Sequence, residues 1–191
     1  MRITLTSKEV RRALEHAGLQ GKEPIGRGRY SLVFDNGDTV LKLTTDRGVL
    51  DLQACQENAC LPLPTLPKFH RVIGEVGQHA GRPLWLFEVE RLDKLVSGSA
   101  QRKQALAIKR LQHGINGVAI KESFHRVAEL TCKLMSEAQT LAREWRDTFA
   151  ALSEYAAGRH HLGCDFHPAN FLTRPATGEL VLNDPFEDRT H

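Results

Sequence analysis

Asp165 and Asn170 stand five residues apart in Gly163-Cys164-Asp165-Phe166-His167-Pro168-Ala169-Asn170-Phe171-Leu172. With His-Pro between them, they form either an ordinary polar turn or a loop that aims a carboxylate at a hydroxyl and an amide at a metal ion. Asp184 follows after an apolar run, in Leu180-Val-Leu-Asn-Asp-Pro-Phe. An amide and a carboxylate from two loop ends suit Mg²⁺, which takes few protein oxygens when it arrives with phosphates. Upstream lies Gly26-x-Gly28-x-x-Ser31-x-Val33. Glycines in a tight strand–turn–strand let backbone N–H groups approach phosphate oxygens with no Cβ in the way. A plain β-turn is the simpler reading of the same residues. Because the motif sits between two strand-like runs, it does not fit a dinucleotide fold, whose glycines open a helix. Lys42, in Thr-Val-Leu-Lys-Leu, is either a solvent-facing spacer or an ammonium for the same phosphates. Glu57, further on, is the carboxylate to orient it, and Asp51 is the competitor.

Elements must hold these groups. Thr6-Ser7-Lys8-Glu9 has the form of a capping box opening a helix with Val10, Ala13, Leu14 and Ala17 on one face. Asn36-Gly37 lies between two β-prone runs, which predicts antiparallel strands at Tyr30–Phe34 and Thr39–Thr44. Val49, Leu52 and Cys55 recur at helical spacing within residues 47–60, and the Pro-rich Leu61–Pro67 stops that helix. Strands are expected near Phe69–Glu75 and Leu84–Glu90. Helix is expected from Ser97 to about Ala157, with Val127, Leu130, Leu134, Ala138, Leu141, Trp145 and Phe149 on one face. Short strands at Asn170–Leu172 and Leu180–Asn183 flank a turn over Arg174–Gly178. A sheet-rich half followed by a helical half makes the cleft between two lobes the expected place for chemistry.

The bulk composition excludes several classes. The 191 residues are 41% hydrophobic and 26% charged, as in ordinary globular chains. No apolar run has membrane-spanning length and the start lacks a secretory hydrophobic segment, so the expected location is cytoplasmic, with no membrane partner. A net charge of +3, with Lys and Arg scattered at helical spacing, does not indicate nucleic acid. The four cysteines form no CxxC pair and are expected to be free thiols. His160-His161 read as exposed polar residues before a loop.

The motifs, in this order, resemble the protein-kinase-like superfamily over about residues 22–188. Within it the chain is similar to the early Ser/Thr protein kinases of short-tailed bacteriophages. The shared features are the Gly26-x-Gly28-x-Tyr30-Ser31 lid, Asp165-x-His167-x-x-Asn170, and Asp184-Pro185 in place of Asp-Phe-Gly. The resemblance implies an α+β, minimal two-lobed fold. Residues 1–92 would form an N-terminal helix and antiparallel-sheet lobe, and 93–191 a reduced helical lobe cut short after Asp184. It implies ATP and Mg²⁺ as cofactors: Gly26, Gly28 and Ser31 over the nucleotide, Lys42 with Glu57 on the phosphates, and backbone near Glu90 and Leu92 at the adenine. Asp165 would be catalytic, and Asn170 and Asp184 would hold the metal. His167 stands where a Lys is expected, either reaching the γ-phosphate or packing beside Pro168. The implied acceptors are host proteins.

Gly163 and Cys164 replace the expected His and Arg, and only seven residues follow Asp184, so no activation loop is expected. Two alternatives stand beside this reading. One is a small-molecule phosphotransferase of the aminoglycoside-kinase kind, which shares Asp-x-His-Pro-x-Asn. The other is a pseudokinase that binds and inhibits a host protein.

Overall fold

The computed structural model describes residues 2–115, 143–159 and 161–188. These form a mixed α+β chain with four helices, a five-stranded antiparallel sheet and two smaller sheets. It divides into two compact units, Met1–Asp46 with Lys68–Arg91, and Arg47–Pro67 with Leu92–His191. No helix among the described residues is long and apolar enough to cross a membrane.

The first unit holds α1 (Lys8–His16), β1 (Gly26–Arg27), β2 (Ser31–Asn36), β3 (Thr39–Thr44), β4 (Phe69–His79) and β5 (Arg82–Glu90). The sheet order is β1-β2-β3-β5-β4, antiparallel throughout. Period-two alternation sorts its faces. Leu32, Phe34, Leu41, Leu43, Leu84 and Leu86 bury one face together with Val10, Ala13 and Leu14 of α1. A Cβ on Gly77 of β4 would come within 3.1 Å of the Ala13 Cβ, which shows how closely helix and strand approach.

Three local expectations change. The first hairpin turns at Gly37-Asp38, because Asn36 pairs with Thr39 and extends β2 beyond Phe34. Of the two turn residues only Gly37 has positive φ (76°), the arrangement that puts glycine first. The capping box does not form. Ser7 is the N-cap without a side-chain cap bond, and Glu9 is drawn away to His79 and the Ala80 N–H. The second hairpin is also longer than expected, running to His79 and Arg82 with Ala80 and Gly81 both at positive φ (54° and 75°).

That pair is the two-residue turn for which Asn-Gly is favoured, and Ala80 pays a left-handed steric cost of about 1–2 kcal/mol. Ala80→Asn should therefore raise stability by about 0.5–1 kcal/mol, seen as a higher denaturant midpoint with unchanged slope. A lower midpoint would contradict this account of the turn.

The second unit holds α2 (Gly48–Asn58), β6 (Asp93–Lys94), α3 (Ala100–Ile115), α4 (Arg143–Ala156), β7 (Leu162–Cys164), β8 (Phe171–Thr173), β9 (Leu180–Leu182) and β10 (Phe186–Asp188). A lobe boundary after residue 92 places α2 with the sheet. In the structure it packs with the second unit, since its buried Val49, Leu52 and Cys55 side meets α4 and β10. Cys55 donates to the Ala151 carbonyl (3.7 Å), and burial pushes its thiol up to about 11, which disfavours the thiolate. Cys55 and Cys60 are free. Of the long expected helix, Trp145 and Phe149 are buried on α4, while Val127, Leu130, Leu134, Ala138 and Leu141 lie outside the described residues.

The Pro-rich stretch is ordered by side chains from elsewhere in this unit. Thr65 bonds Thr148 (2.6 Å), and the buried Arg174 guanidinium donates to the Pro64 and Leu66 carbonyls (2.5 and 3.0 Å). β8 pairs with β6 and β9, and β7 pairs with β10.

Candidate active site

The second unit brings Asp165, His167, Asn170 and Asp184 together. Asp165 follows β7, Asn170 precedes β8, Asp184 lies between β9 and β10, and His167 lies in the loop between Asp165 and Asn170. The β7–β10 ladder (Phe186 opposite Cys164) continues as Asp165 N–H to the Pro185 carbonyl at 2.9 Å. The Asn183 N–H donates to the Asn170 carbonyl at 2.7 Å. These two bonds bring the loops at 165–170 and 183–185 together by main chain alone.

The Asn170 side chain closes the arrangement. Its Nδ2 donates to the Asp165 carbonyl (2.9 Å) and to the Asp184 carbonyl (3.1 Å). Both partners are acceptors, so the amide orientation is fixed: the nitrogen faces them and Oδ1 faces the other way. The loop between is a 3₁₀ turn, Pro168–Asn170, capped by His167, whose Nδ1 accepts from the Ala169 N–H at 3.2 Å. That acceptor role puts the neutral ring's proton on Nε2 of the exposed imidazole. Asp165 Oδ1 accepts from the His167 N–H at 3.2 Å, which orients a half-buried carboxylate.

Aromatic anchors hold this loop, and sequence reading missed them. Phe166 and Phe171, the residues after Asp165 and Asn170, are buried against α4. Phe166 meets Phe149 edge-on (centroids 5.4 Å apart), and Phe171 lies 6.2 Å from Trp145. Phe186, two residues after Asp184, packs against Tyr155 with its ring tilted (centroids 5.9 Å apart). The signal was an apolar ring beside each polar residue, too local to register as a period.

Asp51 of α2 belongs to the same unit. It accepts from the Tyr155 hydroxyl (3.1 Å) and lies 3.6 Å from His161 Nε2. Burial, and next the Asp51 carboxylate, hold the Tyr155 hydroxyl above its ordinary value. Glu57 is exposed, and its Oε1 accepts from Gln53 one turn back (2.6 Å).

The first unit carries the other candidates. Gly26 of β1 is opposite Val33 of β2, Val33 is opposite Lys42 of β3, and Lys42 is opposite Phe87 of β5. Directly opposed residues share a face, so Gly26, Val33 and Lys42 lie on the sheet face away from α1. Lys42 is only 6% exposed, so it is not a solvent-facing spacer. The turn closes with Gly28 N–H to the Ser31 carbonyl (2.8 Å), and a Cβ on Gly28 would fall 2.8 Å from Ser31 Oγ. Glu90 ends β5 with its N–H on the Lys68 carbonyl and its Oε1 accepting from the Lys68 N–H, both 2.9 Å. Leu92 is half-buried in the connector to β6.

Among the described residues no three His, Cys, Asp or Glu side chains gather as a metal site. The donors at hand are one oriented amide oxygen and the Asp184 carboxylate. That is a hard, sparse set, fitting Mg²⁺ with phosphate oxygens rather than zinc or an all-protein cage. No protein-family model matches the sequence, and no curated protein matches it.

Proposed function

We propose that this protein is an ATP- and Mg²⁺-dependent phosphotransferase with a two-lobed protein-kinase-like fold, acting on Ser/Thr hydroxyls of proteins in the manner of the bacteriophage kinases it resembles. The observation that carries the reading is Asn170. Its amide is tied to the backbone of both Asp165 and Asp184, so one side chain sets the spacing of three oxygen donors. Magnesium bound with the nucleotide supplies charge neutralisation at the phosphates. Asn170 Oδ1 and Asp184 would hold it, Asp165 would orient the acceptor hydroxyl and take its proton, and Lys42 would bind phosphate oxygens. Phosphoryl transfer asks little else of a protein than such positioning. Gly26, Gly28 and Ser31 would lie over the phosphates, and backbone near Glu90 and Leu92 would meet the adenine. His167 would act first as the cap of the 3₁₀ turn, which leaves Nε2–H as its only outward donor.

A thermal shift tests the metal assignment. With Mg-ATP at a hundred times its Kd, linkage stabilises the protein by about 2.7 kcal/mol. Asp184→Ala should lose most of that shift, and EDTA should abolish it in the wild type. An equal shift in the variant would remove Asp184 from the metal site.

A further inference from the structure

The glycine turn is held at one of its carbonyls by a segment far away in sequence. Ile3 N–H donates to the Arg29 carbonyl at 3.1 Å. The next carbonyl, that of Tyr30, is held at the end of β3, by the Thr44 Oγ1–H and by the N–H of Thr45 just beyond it, both at 3.0 Å. Because a trans peptide is planar, fixing the Arg29 C=O fixes the following N–H in the opposite direction. The backbone geometry of the turn therefore depends on where residues 2–4 lie.

Those residues are locked in turn. The Ile3 side chain is buried in the core formed by α1 and the sheet. The Arg2 carbonyl lies 3.4 Å from Nε2 of His79, a ring only 2% exposed at the end of β4. His79 Nδ1 donates to Glu9 Oε2 at 3.0 Å and lies 3.3 Å from Ser7 Oγ. The same Glu9 oxygen accepts the Ala80 N–H at 2.9 Å. The Ala80 N–H first, and His79 second, hold the Glu9 carboxyl below its ordinary value. A single buried imidazole thus ties the start of α1 to the tip of the β4–β5 hairpin and packs against the Arg2 carbonyl, and Ile3 passes that anchorage to the turn.

We propose that residues 2–9, latched by His79, are a brace that presets the glycine turn for nucleotide phosphates, with Ile3, Glu9 and His79 as positioning residues. The brace follows from the bonds in the first unit. Only the nature of the ligand rests on the phosphotransferase reading. A braced turn receives its ligand without first having to be ordered, so losing the brace weakens ground-state nucleotide binding and leaves the chemical step alone.

Two readouts on the full chain separate these statements. In hydrogen exchange, His79→Ala and Ile3→Pro, which lacks the N–H, should speed amide exchange within residues 26–33 about tenfold or more. His79→Asn, which keeps a donor toward Glu9, should restore most of the protection. Leu86→Ala, a packing loss in the same core, should lower Tm without selectively exposing the turn. In kinetics, His79→Ala should raise KM for ATP about tenfold with kcat within about twofold. Exchange at 26–33 that is unchanged, or rises no more than in Leu86→Ala, overturns the brace. A wild type that binds no Mg-ATP counts against the phosphotransferase reading instead, and the exchange result still decides the brace. An equal fall in kcat and kcat/KM would show that His79 acts on the transition state and would overturn the positioning role.

Discussion

Asp165→Asn is expected to keep nucleotide binding and to lower phosphoryl transfer by about 10²–10⁴-fold, the usual contribution of a positioned base. The substitution is isosteric. Asn still offers Oδ1 to the His167 N–H, and the main-chain bond from residue 165 to Pro185 does not involve the side chain. The loop should therefore keep its shape while losing the carboxylate proposed to accept the hydroxyl proton. Initial rates with γ-labelled ATP, beside a Mg-ATP thermal shift, separate the two effects. A variant as fast as wild type would show that Asp165 is not the catalytic carboxylate. A variant that also loses the thermal shift would show that its role is in binding.

The largest effect on stability should come from Phe171→Ala, at about 3–5 kcal/mol. The ring is 1% exposed and packs against Trp145, so truncation removes buried apolar contact and leaves a cavity. Single domains have only about 5–15 kcal/mol in hand, so much of this unit's stability would go. Because Phe171 follows Asn170 directly, the loop should loosen with it. Phe171→Leu keeps most of the volume and should cost less than about 1.5 kcal/mol. Denaturant midpoints measure both. A loss under 1 kcal/mol for Phe171→Ala would mean that the aromatic cluster is not what anchors the loop.

Parts of this architecture are legible without coordinates because their causes are local. Asn36-Gly37 announces a hairpin, and Val49, Leu52 and Cys55 announce a helix, since turn chemistry and periodicity act within a few residues. Asp165, Asn170 and Asp184 stand out by spacing alone. The parts that stay hidden are set by tertiary contacts. Thr6-Ser7-Lys8-Glu9 satisfies the capping pattern, yet Glu9 binds His79 and Ala80, seventy residues away in sequence, where a buried imidazole and a strained turn need an acceptor. β7 and β10 have three residues each, too few for any periodic signal, and they exist because they pair with one another. The unit to which α2 belongs depends on what its apolar side meets, which no pattern within the helix encodes. Spacing along the helix favours Glu57 over Asp51 as the carboxylate for Lys42. Only the position of Tyr155 distinguishes the half-buried carboxylate from the exposed one.

The central claim is that Asn170 and Asp184 serve a metal–nucleotide complex whose γ-phosphate leaves for a hydroxyl near Asp165. The direct test incubates the purified wild-type protein and a bacterial lysate with γ-labelled ATP, with Mg²⁺ or with EDTA, and follows the label into protein, small molecules and free phosphate. The expected result is Mg²⁺-dependent label on Ser or Thr of lysate proteins, absent with EDTA and strongly reduced in Asp165→Asn. Label entering a small molecule alone would retain the phosphotransferase and replace its protein acceptor. Mg-ATP binding with no label transferred to any acceptor would contradict the claim and identify the chain as a nucleotide-binding module.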